Sequence, residues 1–300
     1  MSTAAHLAAL LLAVLAVLAS APALASSRYC DARNPLSAIQ QDRLLRVAAV
    51  LKAELEATGS RVALVARSGL DLRRFGMRYS HAGISLQRSA ETPWAVRQLY
   101  FACDESQPRL FDEGLSAFVM GTEDPALGFM SLVLLPADAA ERLESTALDN
   151  ASALALLNPV YSANAYAYGL RYQNCNQWLA ELLGVAFGGA PASRDTAQAW
   201  LRGQGYEGAV FDLGWSGFTW LTVFSPFLHR GDHPGADLAA GRFVVSMPES
   251  IGTFVRRLHP QVTRVELCHT DRHVVVRRGW DAPLPDDCTP GEGDRVVALD

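Results

Sequence analysis

Two short segments of this 300-residue chain contain residue types that can carry out nucleophilic catalysis. The first spans residues 78–86 and contains His81, and the second spans residues 172–179 and contains Cys175. A catalytic cysteine needs a thiolate at working pH, a base within hydrogen-bond reach and a group that orients the base. The two segments suggest Cys175 as nucleophile and His81 as base. Ordinary core packing is the alternative explanation for each residue alone.

The residues after Cys175 predict an amphipathic helix that begins at this position. Apolar side chains recur there at helical spacing: Trp178, Leu179, Leu182, Leu183 and Ala186. Asn174, directly before, is a favourable helix cap. The first turn of a helix is electropositive and has free amide groups, so it lowers a thiol pKa and can stabilise an oxyanion. We therefore expect a low pKa for Cys175 and an oxyanion site beside Asn174.

The segment around His81 reads as a β-strand followed by a second strand at residues 94–102, with a polar turn between them. In a strand, His81, Gly83 and Ser85 share one face, and Gly83 leaves room for a neighbouring chain beside the imidazole. Gln98, on the second strand, can then orient the imidazole ring. An antiparallel hairpin is therefore the expected support for the histidine.

The remaining hydrophobic patterns predict an α+β fold, in which helices pack on an antiparallel sheet. Helical spacing occurs at residues 37–57, 137–147, 174–187, 193–203 and 250–258. Further strands are expected at residues 61–67, 129–135, 242–247, 262–268 and 273–278. We expect a single domain over residues 26–280. Residues 281–300 are rich in Pro, Gly and Asp and predict a flexible tail.

The N-terminus has the features of a secretory signal peptide. An apolar run over residues 7–18 is too short to span a bilayer, and Ala23 and Ala25 form a cleavage pattern. Removal of residues 1–25 would export a protein beginning near Ser26 to the periplasm or the extracellular space. No later stretch predicts a stable membrane span. An uncleaved N-terminal anchor is the alternative.

The five cysteines would all follow the signal peptide and meet an oxidising compartment. An odd number leaves at least one thiol unpaired within a monomer. Pairing Cys268 with Cys288 and Cys30 with Cys103 is one hypothesis, and it leaves Cys175 as the free thiol. Spacing alone leaves other pairings open.

Composition limits the classes of partner. A net charge of −5 and a pI near 5.8 argue against a nucleic-acid binder, which needs a basic surface. His229 and His233 are four apart and raise the alternative of a metal site. Gly231 and Pro234 disfavour the helix that would align them, so we expect neither a metal nor a cofactor.

The order of these motifs resembles the circularly permuted papain-like superfamily. His-Ala-Gly-Ile on a strand is followed by a polar residue on the next strand, and Asn-Cys opens a helix 94 residues after the histidine (175 − 81). The superfamily includes NlpC-type cell-wall peptidases and amidases and lecithin retinol acyltransferase-like enzymes. The resemblance implies that Cys175 is the nucleophile, His81 the general base and Gln98 the orienting residue. Many relatives have His or an acid at the third position, and Gln98 lacks that charge.

The chain also resembles an uncharacterised bacterial secreted family, domain-of-unknown-function family 2145. The segments that carry this resemblance are Tyr-Ser-His-Ala-Gly, Tyr-Gln-Asn-Cys-Asn-Gln-Trp and Asp-His-Pro. This family implies no activity. With the superfamily, it suggests a secreted thiol hydrolase (peptidase- or amidase-like) or acyltransferase that acts on an amide or ester, with cell-envelope peptide or acyl groups as substrates. The alternative is a non-catalytic envelope protein that binds or supports other components.

Export predicts a processed N-terminus. Mass spectrometry of the protein from its native compartment should find the first residue at or near Ser26, because signal peptidase cleaves after the small-residue pattern. A mature form that still contains residues 1–25 would contradict export by cleavage.

Overall fold

The computed structural model describes residues 35–189, 191–214 and 227–299. The predicted signal peptide and Cys30 lie outside the described residues. The strands are β1 (Val62–Arg67), β2 (His81–Leu86), β3 (Ala95–Ala102), β4 (Gln107–Glu113), β5 (Gly128–Leu134), β6 (Ala209–Asp212), β7 (Arg242–Val245), β8 (Thr263–His269), β9 (His273–Arg278) and β10 (Arg295–Ala298). The helices are α1 (Ala38–Ala57), α2 (Leu115–Met120), α3 (Ala137–Leu148), α4 (Asn150–Ala155), α5 (Cys175–Gly188), α6 (Arg194–Gly203), α7 (Gly235–Ala239) and α8 (Pro248–Leu258).

An eight-stranded antiparallel sheet forms the centre of the fold, with the order β10-β9-β8-β5-β1-β2-β3-β4. The strands β6 and β7 pair separately. The predicted α+β class with a large antiparallel sheet and packed helices is therefore confirmed.

Both faces of the sheet are covered, which explains why β1, β2 and β5 are buried along their whole length. Apolar residues of α1 and α2 form the core on one face. On the other face, α5 packs against the sheet with α3, α6 and α8 around it. Residues 175–186 of α5 are all buried, as expected for a helix enclosed on every side.

The strand β4 and the helix α2 were missed in the sequence. Exposure alternates over Gln107, Pro108 and Arg109 of β4, with Pro108 buried, but residues 110–113 are all partly exposed, so the strand has no regular pattern along its length. Proline cannot donate a ladder hydrogen bond, and it is tolerated here because β4 lies at the edge of the sheet.

The C-terminal segment differs from the predicted flexible tail. Residues 295–298 form β10, which pairs with β9 at the other sheet edge. A disulfide joins Cys268 to Cys288, as the pairing hypothesis predicted. In addition, buried Glu54 of α1 forms ion pairs with Arg278 and Arg295. A disulfide and ion pairs hold this segment in place, so it needs few apolar residues. The sequence therefore lacks the hydrophobic pattern that would have predicted an ordered segment.

Within the described ranges, no helix has both the length and the apolar character required to cross a bilayer.

The disulfide should contribute substantially to stability. Cys268 and Cys288 are 20 residues apart, and loop-closure entropy assigns a crosslink of that span about 3 kcal/mol. We expect C268A/C288A to lower the free energy of unfolding by about that amount in urea titrations. A double variant as stable as the wild type would show that the C-terminal segment adds little to folding.

Candidate active site

A chain of hydrogen bonds runs from His81 through Gln98 to a carboxylate. His81 Nε2 lies 2.6 Å from Gln98 Oε1, and Gln98 Nε2 donates to Glu113 Oε2 at 2.9 Å. The histidine comes from β2, the glutamine from β3 and the glutamate from the end of β4. Three adjacent strands therefore supply the imidazole, its hydrogen-bond partner and a carboxyl group behind that partner.

This chain determines the tautomer of the imidazole. The Gln98 amide nitrogen faces an acceptor, the Glu113 carboxylate, so its oxygen must face His81. An amide oxygen can only accept, and His81 Nε2 must therefore carry the proton. In the neutral ring, Nδ1 is then the nitrogen with a lone pair available for a proton.

Aromatic rings and a glycine hold this arrangement. The His81 ring stacks on Tyr100 at 4.3 Å between centroids and lies 6.1 Å from Phe118 of α2. A Cβ at Gly83 would lie 2.6 Å from Val96 Cγ1 and 3.1 Å from Gln98 Cβ. Gly83 therefore permits the close approach of β3 that brings Gln98 to the imidazole.

The first turn of α5 is bonded directly to the backbone on both sides of His81. The Asn176 carboxamide accepts from the Ala82 amide at 3.0 Å and donates to the Ser80 carbonyl at 3.1 Å. The paired register of β2 and β3 covers residues 84–86, so these two groups lie beyond it. Asn176 takes the place of β3 here and positions Cys175, its neighbour, where the two strands separate.

The polar residues around Cys175 form structural hydrogen bonds. Asn174 caps α5 by accepting from the Gln177 amide at 2.7 Å. Gln173 donates to the Glu181 carboxylate at 2.6 Å, and the Gln177 side chain donates to the Gly169 carbonyl at 2.8 Å. These bonds fix the loop that enters α5. Cys175 is the one free cysteine of the described residues, since Cys103, Cys268 and Cys288 are disulfide-bonded.

The pKa of Cys175 is shifted in the direction opposite to our expectation. Burial raises it to about 11, and this effect outweighs the lowering by the amides of Cys175 and Asn176, by Arg67 and by Tyr161. The helix terminus acts as predicted, but an 8% exposed thiol loses more hydration than these groups replace. The resting site therefore contains a protonated thiol.

His81 is neutral in the same state. Burial, followed by the positive charge of Arg67, lowers its pKa to about 3, and the hydrogen bond to Gln98 opposes this shift more weakly. Arg67 lies directly opposite His81 in the register of β1 and β2. A neutral imidazole can act as a general base toward a neutral thiol, without a preformed thiolate-imidazolium pair.

The histidines near residue 230 have packing roles. The His229 ring stacks on Tyr172 at 4.4 Å, and His233 Nε2 lies 2.7 Å from the Asn164 carbonyl oxygen. Asp232 accepts from the Tyr166 amide at 2.8 Å. No cluster of three or more His, Cys, Asp or Glu side chains suited to a metal ion occurs in the part of the chain that the structure describes.

Comparison with known proteins identifies the family. A model described as "Uncharacterized protein conserved in bacteria (DUF2145)" matches residues 54–255, more than half of the chain. The chain belongs to this family. The region that matches DUF2145 includes His81, Gln98, Glu113 and Cys175. No curated protein and no solved structure matches the chain.

Sequence reasoning missed three residues of this centre. Glu113 was missed with the strand that carries it. Arg67 was assigned to a strand, but its position opposite His81 depends on the register of β1 and β2. Asn176 could have been noticed in the sequence. Only one of the two Asn residues that flank Cys175 is needed as a helix cap, so the second suggests another role.

The buried histidine makes stability depend on pH. In the unfolded chain His81 takes up a proton near pH 6.5, whereas in the folded protein its pKa is about 3. The unfolded state thus binds more protons between these values, and the free energy of unfolding falls as pH drops from 6.5. This contribution reaches about 2 kcal/mol at pH 5. We expect H81Q to lack it.

Urea titrations of the wild type and H81Q at pH 8 and pH 5 measure this effect. At pH 8 the difference between them reports packing alone, since the histidine is neutral in both states. Relative to H81Q, the wild type should lose about 2 kcal/mol between the two pH values. A difference that is the same at both would contradict a depressed histidine pKa.

Proposed function

We propose that this protein is an exported thiol hydrolase or acyl-transfer enzyme with Cys175 as nucleophile. His81 serves as the general base, and Gln98 orients its ring. Glu113 is hydrogen-bonded to Gln98 and carries the negative charge that Gln98 itself lacks. This charge stabilises the imidazolium that forms during the reaction. The observation that carries the proposal is the hydrogen-bond chain from His81 to Glu113, which leaves Nδ1 as the basic nitrogen.

The reaction conserves its protons in two steps. His81 Nδ1 takes the thiol proton as the sulfur attacks an amide or ester carbonyl, and the amides of Cys175 and Asn176 stabilise the oxyanion. The imidazolium then gives the proton to the leaving amine or alcohol, and a thioester remains. Water or an acceptor nucleophile gives its proton to His81 as it attacks the thioester and takes the acyl group, and the imidazolium then returns that proton to the released sulfur.

The order of elements supports a permuted papain-like topology as part of this proposal. A strand with the histidine is followed by a strand with the orienting residue, and the cysteine helix comes later in the chain. Packing of α5 against β2 and β3 agrees with this arrangement. Export to the cell envelope, with its peptide cross-links and acyl groups, makes envelope amides and esters the proposed substrates.

A non-catalytic envelope protein is the second candidate. Burial of both side chains and the raised thiol pKa favour it, because a core cysteine has the same properties. In that case Cys175 and His81 stabilise the fold, and removal of one would not alter the chemistry of the other.

Acylation by an activated ester distinguishes the two candidates. With p-nitrophenyl acetate, the wild type should release a burst of p-nitrophenolate and acquire one acetyl group on Cys175, identified by peptide mass spectrometry. C175A should show neither. H81Q should acylate about 10²–10⁴-fold more slowly, the usual contribution of a general base. E113Q should have a smaller effect, since its charge acts through Gln98.

H229Q is the matched control, because it removes a histidine whose ring stacks on Tyr172 and forms no hydrogen bond or ring contact with Cys175 or His81. It should acylate at the wild-type rate, and melting curves should establish that every variant is folded. Acetylation of other residues, or an unchanged burst in folded H81Q, would leave the non-catalytic candidate as the better description.

A further inference from the structure

Arg67 is a buried cation directly beside His81, the proposed general base. It is the last residue of β1, lies opposite His81 in the antiparallel register and is only 5% exposed. Its guanidinium donates to the hydroxyl of Tyr100, the residue on which the His81 ring stacks. Arg67 is therefore joined to the imidazole through its strand and through one aromatic ring.

The groups that Arg67 contacts are uncharged. Nη1 donates to the Gly121 carbonyl and, at 3.4 Å, to the Ser68 carbonyl, while Nη2 donates to Tyr100. Across the three described ranges, no carboxylate forms an ion pair with this guanidinium. The other buried arginine of the described residues, Arg194, does have such a partner in Glu181. A buried cation that lacks a counter-ion is destabilising, because no opposite charge offsets the loss of its hydration.

One edge of the guanidinium retains unused donors. Nε is buried and has no hydrogen-bond partner, and one of the two Nη2 hydrogens remains after the bond to Tyr100. The Nε and Nη2 donors together form the side edge of the group. Two parallel donors on that edge match the two oxygens of a carboxylate.

The space around Arg67 depends on two glycines. A Cβ at Gly121 would lie 2.7 Å from Arg67 Cζ, and a Cβ at Gly69 would lie 3.0 Å from Nη1. Other residues at these positions would displace the guanidinium from the site. The chain thus accommodates a cation where packing alone would favour an apolar side chain.

We propose that Arg67 is a carboxylate subsite of this centre, and that the substrate is an amide or ester with a carboxylate close to the carbonyl that Cys175 attacks. This inference rests on the function proposed above. Arg67 also lowers the pKa of both Cys175 and His81, so its positive potential extends over the reacting atoms. The thiol, the imidazole and Arg67 are all buried in this state, so a substrate carbonyl and its carboxylate reach them only when this part of the fold opens.

Two alkylating reagents that differ mainly in charge test the proposal without any substrate. Iodoacetate carries a carboxylate, and iodoacetamide is its neutral counterpart. The ratio of their rates with Cys175 is measured in the native protein and divided by the same ratio in urea-unfolded protein. We expect a normalised ratio well above one in the wild type. R67Q should lower it about ten-fold or more, the loss of a charge-assisted contact, and R67K should be intermediate.

R109Q is the matched control. Arg109 lies on β4, pairs with Glu105 at the surface, and its replacement makes the same change in net charge. It should keep the wild-type ratio. A wild-type ratio at or below one, or a ratio unaltered in folded R67Q, would overturn the carboxylate subsite.

The result also distinguishes this inference from the proposed function. If H81Q slows iodoacetamide labelling while R67Q leaves the normalised ratio unchanged, the proposed catalytic pair is supported and the carboxylate subsite is overturned. If neither reagent labels Cys175 before unfolding, both proposals fall. A wild-type experiment covers the case in which R67Q does not fold. Acetate should slow labelling by iodoacetamide, and acetamide at equal ionic strength should not; equal effects would overturn the subsite.

Discussion

The Asn176 side chain connects the helix that carries the thiol to the strand that carries the imidazole. Its oxygen and nitrogen satisfy the Ala82 amide and the Ser80 carbonyl, which lie beyond the paired register of β3. Buried backbone groups without partners are costly, so a side chain with both a donor and an acceptor is required at this point. A carboxylate could not donate and an aliphatic residue could do neither. The location of Cys175 follows from that requirement.

A second polar network holds the other end of this connection. Glu181, on the second turn of α5, is fully buried and forms hydrogen bonds with Arg194, Gln173 and Gln198. The same arginine donates to carbonyls of the loop before α5, at Gly169, Leu170 and Tyr172. Burial raises the pKa of Glu181, and the bonds from Arg194 and the two glutamines act against that shift. These bonds therefore attach the loop to the helix.

Periodicity in the sequence predicted the elements that carry the site, since α5 and the hairpin of β2 and β3 repeat apolar residues over many positions. It could not predict Glu113, because the irregular exposure of β4 hides an edge strand. It also could not place Arg67, whose neighbour across β1 and β2 is set by register. The predicted direction of the Cys175 pKa shift was wrong for a related reason. The helix terminus can be predicted from local sequence, whereas burial of the thiol depends on the whole fold.

The buried, protonated thiol also bears on oxidative chemistry. Thiol–disulfide exchange and oxidation to sulfenic acid both proceed through the thiolate. With a pKa of about 11, Cys175 is ionised in on the order of one molecule in ten thousand at neutral pH. Once the fold has closed around it, we expect this cysteine to exchange slowly with the Cys268–Cys288 disulfide and with external oxidants. Native packing thus preserves one reduced sulfur in a chain whose other described cysteines are oxidised.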